Sequence, residues 1–202
     1  MAYGAGFIDT IIPTTDLTIT GNVQASNITC TNITSGQGKI YPLIATTAVP
    51  TTSGTVVTIA TGIPDWVTKI SIVYAAMSTN STSQPLFQLG YGSTPTYQTS
   101  GYASTGDNYS ATGGAGPAQT DTTGMIVGSV SSAAYSWFGI YVIAKVTGTN
   151  TWIGGINGSS SLLTVTDGGV RVTLNDTLTA IRLTTIAGTN VFDAGNVCIL
   201  YE

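Results

Sequence analysis

The sequence predicts an all-β protein: a β-sandwich head of jelly-roll type, preceded by a short β-rich stem, the whole assembled as a trimer. Three observations carry the fold class. Threonine accounts for 37 of the 202 residues, while charged residues make up only 7%, against about 25% in an ordinary domain. Helices draw on Glu, Lys, Leu and Ala, and here Glu202 is the only glutamate. Short alternating runs rich in Thr, Val, Ile and aromatics recur between Gly, Asn, Asp and Pro, the pattern of strands and turns.

Residues 1–16, MAYGAGFIDTIIPTTD, read as an extended arm interrupted by Pro13. An exposed apolar arm is a liability on a monomer, so it is expected to dock on another protein. Residues 17–40 place Leu17, Ile19, Val23, Ala25, Ile28, Cys30 and Ile33 among Thr, Asn and Ser. Strands this short cannot bury a core alone; three copies around an axis can, hence a trimeric stem.

Residues 41–202 read as one head domain, with strands expected at 55–61, 66–78, 86–91, 124–130, 133–146, 151–158, 161–166, 170–174, 178–186 and 196–202. TDGG at 166–169 signals a tight turn, and AGTNVFDAG at 187–195 a loop closing a terminal hairpin. Run 133–146 is apolar on both faces, so it is central to the sandwich or covered by a neighbouring subunit. Residues 90–124 read as one long loop, a length that is uncommon unless functional or disordered.

Composition also excludes chemistry. Lys39, Lys69, Lys145, Arg171 and Arg182 are the only cations and form no cluster, whereas nucleic-acid binding needs one. No apolar run is long enough to insert in a membrane as a helix, and MAYGAGFIDT lacks the basic and apolar segments of a signal peptide. With no histidine, a Ser–His–Asp system is ruled out, and no enzyme activity is expected. Cysteine and histidine spacings for zinc and acidic loops for calcium are missing, so no metal or other cofactor is expected. Cys30 and Cys198 read as two small buried apolar residues, with a disulfide between them the open alternative.

Two stretches resemble a known domain. TGIPDWVTKISIVYAAMSTNSTSQPLFQLG (61–90) carries Gly62, Ile63, Pro64 and Trp66, then Ser78, Thr79, Asn80, Thr82 and Ser83, then Gln88, Leu89 and Gly90. LTAIRLTTIAGTNVFDAGNVCILYE (178–202) carries Arg182, Leu183, Thr184, Thr185, Gly188, Thr189, Phe192, Asp193, Ala194 and Gly195. Together they resemble a head domain that recurs in tail-fibre and related virion proteins of tailed bacteriophages. Ser81 stands where that pattern has Gly, and Lys69–Ile70–Ser71 lacks its second basic residue. The resemblance implies a virion protein of the phage tail, a homotrimer attached to the baseplate by residues 1–16 and adhering to a bacterial surface glycan by its head. The alternative is a decoration protein that cements the phage capsid.

Glycan binding calls for exposed aromatic rings beside polar side chains. Tyr97, Tyr102 and Tyr109 in the expected long loop and Trp152 near a predicted loop are the candidates. Asp193 is expected to hold its own turn and to pair with Arg182 across the terminal hairpin.

Overall fold

The computed structural model describes residues 33–35, 38–40, 43–110, 114–115, 118–128, 132–162 and 164–202. The chain divides into two units, Met1–Tyr41 and Pro42–Glu202. In the first, strands β1 (Ile33–Ser35) and β2 (Gly38–Ile40) form an antiparallel hairpin with Ile33 opposite Ile40. The expected arm at 1–16, nearly all of the stem at 17–40, and Cys30 lie outside the described residues.

The second unit is all-β, with no helix among its described residues. Its strands are β3 (Ile44–Ala45), β4 (Val49–Pro50), β5 (Val57–Thr61), β6 (Lys69–Thr79), β7 (Pro85–Tyr91), β8 (Thr96–Tyr97), β9 (Ala103–Ser110) and β10 (Gly114–Ala115). They continue with β11 (Gln119–Asp121), β12 (Met125–Ile126), β13 (Ser136–Lys145), β14 (Thr151–Ser160), β15 (Thr164–Thr173), β16 (Leu178–Thr185) and β17 (Phe192–Tyr201). The larger sheet runs β10-β9-β15-β14-β13-β6-β17-β3, with β11 also on β9 and β4 also on β17. The smaller runs β12-β7-β16-β5, with β8 on β7. Pairing is antiparallel throughout.

The two sheets share one core. Ile70, Ile72, Tyr74, Trp137, Tyr141, Ile143, Val197 and Ile199 enter it from the larger sheet, and Phe87, Leu89, Ile181 and Leu183 from the smaller. Alternation explains which residues point inward, since successive side chains of a strand face opposite ways. On β13 the buried Trp137, Tyr141 and Ile143 alternate with outward Phe138, Ile140 and Val142. This strand lies inside the larger sheet, between β14 and β6, and among the described residues only its inner face is covered.

Three expectations are corrected. The expected terminal hairpin is not one: β16 lies in the smaller sheet and β17 in the larger, so residues 186–191 cross between sheets. The TDGG segment does not turn; Asp167, Gly168 and Gly169 run through the middle of β15, paired on both sides. Glycine serves close approach there, because a Cβ on Gly168 would lie 2.1 Å from the Thr105 carbonyl oxygen. Residues 90–124 are not one loop but contain β8, β9, β10 and β11. Strand β9 escapes the apolar pattern because its inward positions are Ser104, Gly106 and Asn108. The buried Asn108 accepts a 2.7 Å hydrogen bond from the Thr166 hydroxyl, which offsets its desolvation.

The GTNVFDAG segment ends in a backbone fit. Gly195 has φ +91° and faces a β-bulge at Ala76, itself at φ +52°. A Cβ on Gly195 would sit 2.5 Å from the Ala76 carbonyl group and the Met77 nitrogen. Gly195→Ala combines a left-handed backbone with a clash against main chain, and is expected to lower stability by about 3 kcal/mol. Chemical denaturation measures it; a loss below about 1 kcal/mol contradicts this fit.

Candidate functional site

Strand registers place the outward side chains of the larger sheet in rows. One row reads Asp107, Asp167, Asn157, Ile140, Val73, Cys198 from β9 to β17. The row above reads Tyr109, Val165, Ser159, Phe138. Below lie Thr105, Gly169, Gly155 and Val142, then Ala103, Arg171, Ile153 and Ala144. Gly169 and Gly155 are adjacent and carry no side chain, so the face is indented between the Asp167–Asn157 row and the Arg171–Ile153 row.

Electrostatics on this face are unusual for a sheet. Asp107 and Asp167 stand directly opposite each other, a pairing that costs stability. Asp107 first, and Asp167 second, raise the Tyr109 hydroxyl above the ordinary phenol range, so it stays a protonated donor. Tyr109 is 45% exposed, and around it Val165 is 53% and Phe138 47% exposed. The carboxylates accept hydrogen bonds, the Asn157 amide does both, and the ring and apolar neighbours offer a flat apolar contact.

At the other end of this face β9 parts from β15. Their ladder ends at the Ala103–Arg171 pair, and the chain turns away at Gly101, φ +80°. A cleft of about 300 Å³ opens there, lined by Gly101, Ala103, Arg171, Val172 and Thr173.

The four aromatic candidates do not form one site. Tyr109 is on the outer face of β9. Tyr97 is on β8 of the smaller sheet, half-buried, with the Arg182 guanidinium 4.2 Å from its ring centre. Tyr102 and Trp152 are corrections: both are buried, at 2% and 1% exposure. The Tyr102 hydroxyl accepts the Leu89 amide at 2.8 Å, tying the start of β9 to the smaller sheet. Trp152 takes an inward position of β14 and packs in the core. Neither ring is available to a ligand.

The expected Asp193–Arg182 pair is also corrected, because β16 and β17 are not neighbours. Arg182 donates from Nε to Gln88 Oε1 at 2.8 Å, while Asp193 accepts the Ser78 hydroxyl. Asp121 accepts the amides of Thr123 and Gly124 at 2.6 and 3.0 Å, a local turn. Among the described residues no three metal-ligating side chains come together. Cys198 is half-buried with a free thiol. Sequence reasoning missed Asp107, Asp167, Asn157 and Arg171 as one group. The signal was the alternation at 103, 105, 107, 109 and at 165, 167, 169, 171, obscured by reading the first segment as part of a long loop and the second as two strands broken by a turn.

No protein-family model, curated protein or solved structure matches this chain.

Proposed function

We propose that this chain is a structural virion protein of a tailed phage, a tail fibre that adheres to a host surface glycan. In this reading residues 1–16 attach it to the baseplate, residues 17–40 wind into a trimeric stem, and the jelly-roll-like head presents the outer face of β9, β15 and β14 to the cell. The observation that carries it is Tyr109 beside the opposed Asp107 and Asp167 and the neighbouring Asn157. A sugar offers apolar C–H faces to an aromatic ring and hydroxyl donors to carboxylates. The carboxylates cost stability where they stand, which suits retention for binding. The likeness of residues 61–90 and 178–202 to phage head domains supports the virion assignment. Such an adhesin acts by binding, and three weak sites on one trimer become strong together.

Asp167→Asn tests this reading. It removes one of two repelling charges, so the fold holds or gains stability. It also removes a charged acceptor, so single-site glycan affinity is expected to fall about tenfold. Binding of the labelled chain to host cells measures the loss; unchanged binding by a variant of unchanged stability contradicts the proposed face.

One observation favours a capsid decoration protein instead. Phe138, Ile140, Ile153, Leu162 and Val165 are all exposed, and an apolar surface of this kind also suits a protein partner.

A further inference from the structure

We propose that the glycan recognised by this face is acidic, and that Arg171 holds a sugar carboxylate in the cleft where β9 leaves β15. The inference rests on the adhesive reading and names its ligand class.

Arg171 is exposed and belongs to the last residue pair of the β15–β9 ladder. Two other cations of the head are engaged: Lys69 with Glu202, and Arg182 with Gln88 and the Tyr97 ring. Among the described residues Arg171 has no ion-pair partner. A guanidinium presents a planar fork of donors that matches a carboxylate in two parallel hydrogen bonds.

The cleft supplies further polar groups beside it. Thr173 lines it, and its hydroxyl is 2.9 Å from that of Thr151. The Leu174 amide bonds the Asn150 carbonyl, on the β14 side. Successive amides of a strand point to opposite sides, so the Thr173 amide faces the cleft, where no strand pairs with it.

The rest of the face selects against a dense polyanion. Asp167 lies four residues from Arg171 on the same side of β15, about 13 Å along the strand, across the indentation at Gly169 and Gly155. A ligand bridging both ends needs a negative group at Arg171 and hydroxyl donors, without charge, at Asp167 and Asp107. A glycan with a single carboxylate among neutral sugars meets this condition. A chain of closely spaced phosphates does not, because its charges would meet both aspartates.

Titration of the full chain with matched pairs tests the proposal: a neutral oligosaccharide ending in one galacturonate against its methyl ester, sialyllactose against lactose, and a glycerol phosphate oligomer. The expected result is that the acid form of at least one pair binds about tenfold tighter than its neutral counterpart. That preference should vanish in Arg171→Gln, persist in part in Arg171→Lys, and weaken as salt rises. Neutral counterparts binding as tightly as acids, an acid preference surviving Arg171→Gln, or a preference for the phosphate oligomer overturns the inference. If neutral sugars still bind and lose affinity in Asp167→Asn, the adhesive reading stands without it. If no sugar binds and Asp167→Asn leaves cell adhesion unchanged, both fall.

Discussion

Phe87→Ala is expected to lower the unfolding free energy by about 3–5 kcal/mol. Phe87 is fully buried on β7, in the smaller sheet. Its ring lies 6.1 Å from that of Tyr74 and 6.5 Å from that of Tyr141, both on the larger sheet, the second edge-on. It is therefore a principal contact between the sheets. Neighbouring β12 and β16 hold the backbone of β7 in place, so the site cannot collapse around an alanine. The cavity cost then adds to the lost transfer energy. Since small domains are stable by only about 5–15 kcal/mol, the variant sits close to its folding limit. Urea denaturation should show a lower midpoint with the slope unchanged. A loss under 1 kcal/mol would mean that the two sheets do not share this core.

Raising the pH is expected to unfold the head steeply above about pH 10. Burial raises the hydroxyls of Tyr74, Tyr102 and Tyr141 well above their ordinary value; the Tyr141 charge adds to the effect at Tyr74, while the Leu89 amide opposes it at Tyr102. Below pH 10 all three are protonated in both folded and unfolded chains, and stability is unaffected. Above it the unfolded chain releases protons that the folded chain retains, so stability falls as pH rises. Each tyrosine contributes about 1.4 kcal/mol per pH unit, and the three together about 4 kcal/mol per unit. Absorbance of tyrosinate and loss of β structure should therefore appear together for these three residues. Stability that stays level to pH 12, or their ionisation within a folded head, contradicts the buried placement.

Much of this architecture is legible in the sequence, and the failures have physical causes. Alternation of Thr, Val, Ile and aromatics located β5, β6, β7, β13, β16 and β17 to within a few residues, because inward apolar positions repeat every second residue. It could not say which sheet a strand joins: β16 and β17 are consecutive and strand-like, yet separated by a crossing. Strand β9 was hidden because hydrogen bonding, not apolar burial, satisfies its inward Asn108. The glycines of β15 signalled a turn when their role is close backbone approach at Thr105. The same ambiguity concealed the site. Aromatic residue type suggested Tyr102 and Trp152, but type does not reveal facing, and both point inward. Only register, which needs the pairing of distant strands, brings Asp107 beside Asp167 and sets Arg171 at the far end of the same face.

The most direct test is a map of the virion by electron cryo-microscopy. The predicted result is density for the head at the tail, with the face of β9, β15 and β14 directed away from the particle. Density on the capsid shell, with that face pressed against the capsid protein, contradicts the adhesive reading and identifies the exposed apolar residues as its docking surface.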